Sequence, residues 1–224
     1  MKKLVKNTIK NRRGFTLVEL AIVLVIIGLI LAAFLTPLAA QLTLRNNSET
    51  RTELNEIREA LVGYALSHSA LDGRPMLPCP DTNGDGIENR VGPLCANVEG
   101  QIPFTDLGII GNDSWNNQFI YRVTQNFANA NLGFGLATAG DITVRNAAAG
   151  NIIAANVPAV ILSLGENGDV APVVGVDQLE NTNGNALFVS KDFAANAVNP
   201  YDDLVTWVSA NIIMNRMVTA GRLP

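Results

Sequence analysis

The feature that most constrains this chain is a nearly continuous apolar segment close to its N-terminus. It runs from Phe15 to Ala40, and Glu19 is the only charged residue between Phe15 and Leu44. At ~1.5 Å per residue, a helix of this length would measure roughly 39 Å, which exceeds the ~30 Å hydrocarbon core of a bilayer. The sequence therefore predicts a transmembrane helix at about residues 15–40.

Residues 1–14 have the opposite character, because they contain six basic residues and no acidic residue. Basic flanks stay in the cytoplasm, so this leader predicts a single-pass inner-membrane protein whose C-terminal domain lies in the periplasm. A signal peptide would keep charge out of its apolar region and place a small-residue cleavage site after it. Here Glu19 opens the apolar segment and Gly14-Phe15 precedes it, so an ordinary signal peptide fits poorly.

Glu19 needs a partner, because an unpaired carboxylate in hydrocarbon costs several kcal/mol. Cleavage after Gly14 would create an ammonium group at Phe15, one helical turn from this carboxylate. The pair could form within one subunit, but between staggered subunits it would also set their register. A simple signal-anchor with an incidental acid is the alternative interpretation.

Residues 13–20 read RGFTLVEL. This run resembles the class III signal of type IV pilins and of type II secretion pseudopilins. The resemblance implies cleavage between Gly14 and Phe15 by a membrane prepilin peptidase, followed by N-methylation of Phe15. It also implies that Glu19 pairs with the N-terminal amine of a neighbouring subunit during filament assembly. The implied partners are prepilin peptidase, other pilin or pseudopilin subunits and an inner-membrane assembly platform.

Beyond the apolar segment the pattern becomes that of an amphipathic helix. Apolar residues recur at spacings of three and four at Leu54, Ile57, Leu61 and Tyr64. Asp72-Gly73 and Pro75 predict the end of this helix. The expected organisation is a basic leader at 1–14, a long helix at 15–72 and an extracytoplasmic globular domain at 73–224.

A loop-rich region over residues 73–116 precedes the predicted strands. These strands are expected at 118–124, 132–138, 141–145, 157–164, 186–190 and 204–209, and a last helix is expected from Ser209 to Gly221. Residues 147–155 are small and predict a loop or a helical turn. A long helix followed by strands indicates an α+β fold with an antiparallel β-sheet against the helix. The resemblance to pilins implies the same architecture.

Cys79 and Cys95 are the two cysteines of the chain. They lie beyond an export signal, in a polar region rich in proline and glycine, which favours an oxidising compartment. A disulfide between them would close a loop of about seventeen residues, and two free thiols are the alternative. The chain has no CxxC pair, so a redox or zinc role for these cysteines is not expected.

The loop between the cysteines contains the opening of a calcium-binding pattern. Oxygen ligands are expected at alternating positions, from Asp81, Asn83, Asp85 and the carbonyl of Ile87. Gly86 would supply the tight turn, but Gly92 stands at the twelfth position, where an EF-hand has a bidentate carboxylate. The alternative is an Asx and glycine turn that needs no ion.

Charge and composition narrow the function further. The chain has 16 Lys and Arg against 20 Asp and Glu, and removal of the leader leaves ten bases and twenty acids. This negative charge argues against a nucleic-acid partner. His68 is the sole histidine and no nucleophile motif accompanies it, so an enzyme is not expected.

The sequence thus predicts a structural subunit of a type IV pilus-like filament or a type II secretion pseudopilus, in the periplasm or at the cell surface. The alternative is a membrane-tethered periplasmic module that binds calcium or another ligand and does not polymerise.

Overall fold

A computed structural model describes residues 14, 16–168, 175–194 and 199–224, without the side chains of residues 33–40. The chain divides into two compact units, Met1–Leu44 and Arg45–Pro224. Helix α1 spans Leu17–Ser67 and contributes to both.

In the second unit, α1 buries the apolar stripe that the sequence predicts. Leu54, Ile57 and Leu61 are at most 3% exposed, and Tyr64 is 8% exposed. Three- and four-residue spacing places these side chains on one face of a helix, so burying that face against the sheet orders the helix. The prediction of an amphipathic helix in this region is confirmed.

The strands and shorter helices follow α1 in the described part. The strands are β1 (Arg90–Val91), β2 (Leu94–Cys95), β3 (Glu99–Gln101), β4 (Ile120–Val123), β5 (Ile142–Arg145), β6 (Ile152–Val157), β7 (Ala159–Ser163), β8 (Leu187–Val189) and β9 (Leu204–Val208). The helices are α2 (Phe104–Leu107), α3 (Val176–Thr182) and α4 (Ala210–Thr219), with a 3₁₀ turn at Gln125–Phe127.

The described part of the second unit contains a two-stranded antiparallel pair, β1-β2, and two larger sheets. The first has strand order β3-β4-β7-β9 and is antiparallel throughout. The second has order β6-β5-β8, in which β5 pairs antiparallel with β6 and parallel with β8. The predicted α+β class with an antiparallel sheet is confirmed, and the parallel β5-β8 pair is an addition to it.

Two apolar cores lie on opposite faces of strand β7. The larger core takes Ala159 and Ile161 from this strand, together with residues of α1, β4 and α4. The smaller core takes Val160 and Leu162, with residues of β5 and β8. Successive residues of a strand point to opposite faces, so β7 is buried on both sides. Its sequence is accordingly a run of four apolar residues followed by the buried Ser163.

The sequence-based strands agree with β4, β5, β7, β8 and β9, and the predicted last helix agrees with α4. The strand predicted at 132–138 was wrong. Gly133 packs there against the main chain of Arg74 and Pro75, where an added Cβ would lie 2.6 Å from each carbonyl oxygen. The Phe134 N–H donates to the Pro75 carbonyl oxygen, so this segment bonds to a loop and not to a sheet.

Candidate functional site

Helix α1 begins directly after the predicted cleavage site, at Leu17. Gly14 is exposed, and no described atom lies within 4 Å of the position that a Cβ would take. Phe15 and residues 1–13 lie outside the described residues. Cleavage between Gly14 and Phe15 and N-methylation of Phe15 therefore stay predictions.

Glu19 and Thr16 bond to each other at the start of α1. One carboxylate oxygen of Glu19 accepts hydrogen bonds from the backbone N–H and the hydroxyl of Thr16, both at 3.0 Å. The Glu19 backbone N–H donates to the Thr16 hydroxyl oxygen at 3.2 Å. This reciprocal pair is a capping box, and the Thr-x-x-Glu spacing is its sequence signal.

The capping box places the Glu19 carboxylate at the backbone N–H of Thr16, the second residue after the predicted cleavage site in the sequence. The carboxylate is also exposed, so a cation from another molecule can reach it. One side chain can thus cap the helix and offer an exposed negative charge.

The first half of α1 exposes an apolar surface. Its large side chains between Leu17 and Leu31 range from 45% exposed at Val23 to 87% exposed at Leu17. An apolar surface of this extent requires a nonpolar partner, because its transfer out of water is favourable by about 25 cal/mol per Å². Among the described residues, no helix combines the length and apolar character needed to cross a membrane. The transmembrane segment predicted at about 15–40 is therefore not confirmed.

Cys79 and Cys95 form the predicted disulfide, with their Cα atoms 5.2 Å apart. An ion pair anchors the middle of the loop that they close, where Arg90 Nη2 lies 2.8 Å from Glu88 Oε2. The same Glu88 oxygen accepts the Cys79 N–H at 2.8 Å. Arg90 Nη1 donates to the Ala128 carbonyl oxygen at 2.6 Å. The disulfide therefore works alongside polar contacts that hold the loop to the domain.

Asp81 is the centre of the loop that the sequence marks as a calcium candidate. It is fully buried, and its carboxylate accepts the backbone N–H groups of Asn83, Gly84 and Gly86 at 2.9, 2.8 and 2.6 Å. Burial raises the pKa of Asp81, but these backbone donors hold it below its ordinary value. Gly86 has φ +81°, and a Cβ there would lie 2.4 Å from the Thr105 side chain. The loop therefore folds around its own buried carboxylate, in the manner of an Asx turn.

The other predicted ligands are also engaged within the loop. Asn83 Nδ2 donates to Asp85 Oδ2 at 3.0 Å, and the Ile87 N–H donates to Asp85 Oδ1 at 2.9 Å. In the described part of the chain, no group of three or more acidic, cysteine or histidine side chains is arranged to hold a metal ion. Calcium binding by Asp81, Asn83, Asp85 and Ile87 stays a prediction.

Glu53 on α1 faces a second acid, Asp113. Ser114 Oγ donates to Glu53 Oε1 at 3.5 Å, whereas the other oxygen, Oε2, is buried without a hydrogen-bond partner among the described residues. Asp113 is 6% exposed and accepts the Ser163 hydroxyl at 2.6 Å. Burial and repulsion from Asp113 raise the pKa of Glu53 above its ordinary value.

This environment gives a testable expectation for Glu53→Gln. Folding raises the pKa of Glu53 above its value of about 4.5 in the unfolded chain. The Glu53 carboxyl therefore stabilises the folded state fully only below pH 4.5, and this contribution to the free energy of unfolding is lost as pH rises through the folded-state pKa. The variant should therefore be more stable than the native chain at neutral pH, by about 0.5 kcal/mol, since solvent screens a partly exposed group. Urea unfolding at pH 7 and pH 4 measures the difference, with Asp192→Asn, which removes an exposed acid elsewhere in the second unit, as control. An equal effect at both pH values would contradict the assignment.

A buried polar cluster around α3 was not indicated by any pattern in the sequence. Asp177 is 3% exposed and pairs with Lys191 Nζ. It also accepts the Ala148 N–H at 2.7 Å and an N–H of Asn199 Nδ2 at 2.8 Å. Burial raises the pKa of Asp177, but the hydrogen bond from Lys191 and the other donors hold it below its ordinary value. Lys191 Nζ also lies 4.8 Å from the centroid of the Tyr201 ring, a cation–π contact.

In the same region, the pKa of Asp203 is raised, whereas that of Asp177 is lowered. It is 3% exposed and accepts N–H groups from Asn181 at 2.7 Å and from Gln178 at 3.4 Å. Burial, with a smaller contribution from the neighbouring Asp202 carboxylate, raises the pKa of Asp203 to about 7. Asp202 itself accepts the Asn167 N–H at 2.9 Å and so stabilises a turn. These interactions order the C-terminal part of the domain.

Comparison with known proteins bears on the N-terminal segment. The prokaryotic N-terminal methylation motif matches residues 9–35, a stretch that includes the Gly14-Phe15 bond and the Thr16–Glu19 capping box. No curated protein and no solved structure matches the chain. On the strength of the match at residues 9–35, the chain carries the prepilin-type motif of type IV pilins and pseudopilins. This motif supports a type IV pilin-like or pseudopilin-type protein, and it points to a structural role rather than an enzymatic one.

Proposed function

We propose that this chain is a structural subunit of a filament, either a type IV pilus-like fibre or a type II secretion pseudopilus. The observation that carries the proposal is the methylation motif at residues 9–35. The capping box at the start of an exposed apolar helix supports it, because it holds an exposed Glu19 carboxylate at the N–H of Thr16, the residue that follows Phe15 in the sequence.

The proposed sequence of events starts in the inner membrane. The apolar part of α1 anchors the precursor, with the basic leader in the cytoplasm and the disulfide-bonded domain in the periplasm. Prepilin peptidase cleaves after Gly14, and Phe15 is N-methylated. The assembly platform then transfers the subunit into a periplasmic or cell-surface filament, where neighbouring apolar helices replace the lipid around α1.

Pairing of the Glu19 carboxylate with a neighbouring subunit's N-terminal amine would favour assembly over the free subunit. Ion pairs strengthen as the dielectric constant around them falls, so Glu19 and a neighbour's methylated amine attract each other most strongly inside the helix bundle. An uncleaved chain has no amine at Phe15, and its basic leader would have to enter the bundle. Cleavage therefore makes the subunit competent for assembly. The acidic domains, which repel one another, would face the solvent.

The capping box makes it possible to separate the charge of Glu19 from its role at the helix start. Glu19→Gln can still close the capping box but has no charge. We expect this variant to enter the membrane and to be cleaved, but to yield few filaments, because the loss of one partner from a buried ion pair costs about 3–5 kcal/mol. Filament yield in sheared fractions, with mass spectrometry of the N-terminus, measures both steps.

Thr16→Ala is the matched control, because it removes the cap and keeps the charge. Loss of a threonine cap costs helices about 1 kcal/mol, so this variant should still form filaments. Normal filaments from Glu19→Gln would refute the neutralisation step. An intact Met1 leader on the mature chain would refute the processing step. A processed chain that never enters a filament would favour a membrane-tethered binding module.

A further inference from the structure

The chain contains three Asn-Gly dipeptides, a sequence prone to spontaneous deamidation because glycine leaves the attacking nitrogen unhindered. They are Asn83-Gly84, Asn167-Gly168 and Asn183-Gly184. In this reaction the glycine backbone nitrogen attacks the side-chain carbonyl carbon of the asparagine. The conformation and hydrogen bonding of each pair therefore determine its rate. Asn167-Gly168 borders residues outside the described part, so the comparison is between Asn83 and Asn183.

We infer that Asn183 is a site of spontaneous deamidation and that Asn83 is protected. Asn183 follows the last residue of α3, and both it and Gly184 are exposed. The Gly184 N–H donates no hydrogen bond within the described residues. The Asn183 side-chain oxygen accepts the Asn185 N–H at 2.9 Å, which draws electron density from the carbon that is attacked. Gly184 has φ +77° in a turn outside any strand or helix.

Asn83 and Gly84 are also exposed, and Gly84 has a similar φ of +83°, so the two pairs differ in the hydrogen bonding of the glycine N–H. The Gly84 N–H donates to the buried Asp81 carboxylate at 2.8 Å, and the Asn83 amide donates to Asp85 at 3.0 Å. Attack by the Gly84 nitrogen requires its N–H to leave a charge-assisted hydrogen bond, which is among the stronger kinds. Hydrogen bonds within the loop that has the calcium-like sequence are therefore expected to slow deamidation of Asn83.

The reaction balances with water as the only co-reactant. A bond forms between the Gly184 nitrogen and Cγ of Asn183, the Cγ–Nδ2 bond breaks, and ammonia leaves with the proton from the Gly184 nitrogen. Water then opens the cyclic imide at one of its two carbonyl carbons. Opening at the side-chain carbonyl gives aspartate, and opening at the main-chain carbonyl gives isoaspartate, whose main chain is one carbon longer.

The product has a structural consequence at a partly buried ion pair. The Gly184 carbonyl oxygen accepts an N–H of Arg122 Nη1 at 3.1 Å, and the same nitrogen lies 3.0 Å from Glu99 Oε2. Arg122 and Glu99 are paired across β4 and β3. Isoaspartate at position 183 lengthens the main chain beside this carbonyl, and aspartate adds a carboxylate near the pair. Deamidation at Asn183 is therefore expected to disturb the Arg122–Glu99 contact.

Incubation of the purified full-length protein in detergent at mildly alkaline pH tests the inference. Peptide mapping by mass spectrometry, with isoaspartyl methyltransferase labelling, gives a rate for each asparagine. We expect Asn183 to react about ten-fold or more faster than Asn83, the factor for first breaking one charge-assisted hydrogen bond. The same measurement in concentrated urea is the matched control, because both Asn-Gly pairs lose their folded environment and their rates should converge.

Equal native rates at Asn83 and Asn183, or a rate difference that persists in urea, would overturn the inference. Asn183→Gln should remove the isoaspartate signal from this peptide while leaving the Asn83 rate unchanged. None of these outcomes depends on filament assembly, so they are distinct from tests of the proposed function.

Discussion

The free energy of unfolding should fall as pH rises from about 4 to about 7, and Asp203→Asn should remove much of that fall. The carboxyl of Asp203 has a pKa of about 7 in the folded chain against an ordinary value of 3.8. Above 3.8 the unfolded chain releases this proton while the folded chain retains it, so stability declines with pH until both forms are ionised. The physical cause is burial of the ionised group beside Asp202.

The size of this effect should be on the order of 2–4 kcal/mol between the two limits. Asparagine keeps an oxygen for the Asn181 donor and never ionises, so the variant should gain stability at pH 8 relative to the native chain and little at pH 4. Urea unfolding followed by tryptophan fluorescence measures it, because both tryptophans, Trp115 and Trp207, lie in the second unit.

Asp192→Asn is the matched control for Asp203→Asn, since Asp192 is an exposed acid in the same part of the chain. Its removal should leave the pH dependence unchanged. If Asp203→Asn and the native chain lose stability in parallel across this pH range, then Asp203 is ionised in the folded state throughout, and the assignment fails.

Reduction of the Cys79–Cys95 disulfide should lower the free energy of unfolding by about 3 kcal/mol, the loop-closure value for a loop of roughly this length. The chain should nevertheless stay folded in mild conditions, because Arg90 holds the middle of the loop to Glu88 and to the Ala128 carbonyl. Urea unfolding with and without a thiol reductant measures the difference.

Two variants separate the contributions of the disulfide and of the Arg90–Glu88 ion pair to the stability of this loop. The double variant Cys79→Ala and Cys95→Ala should resemble the reduced chain and be insensitive to reductant. Arg90→Gln should keep the disulfide but leave the Glu88 carboxylate without its cation, and reduction should then cost this variant more than it costs the native chain. Equal stability of the oxidised and reduced native chains would contradict the proposed role of the disulfide.

The sequence was most informative where one physical constraint dominated. The apolar stripe Leu54, Ile57 and Leu61 marked the packed half of α1, and alternating or continuous apolar runs marked β4 and β7. The prepilin-type motif could be identified because its glycine, phenylalanine and glutamate have fixed spacing. Each of these signals is local, so no knowledge of the tertiary structure was needed to read it.

The sequence was least informative where distant residues decide the structure. Strand β6 starts at Ile152, inside residues 147–155, for which the sequence predicts a loop or a helical turn; that prediction is wrong from Ile152 onward, where the chain pairs with β5. Helix α3 is short and polar, and it is ordered by contacts from Asp177, Gln178 and Asn181 to residues far along the chain. The raised pKa of Asp203 likewise follows from burial, which its position beside Asp202 in the sequence did not indicate.

The position of β7 between the two cores affects how the domain resists damage. Opening either core would strip one face of this strand and expose apolar side chains that the other core cannot cover. The two cores are thus expected to open together in one cooperative unit, with few partly open forms available to proteases. For a filament subunit of the proposed kind, such all-or-none unfolding would favour long survival of the folded chain.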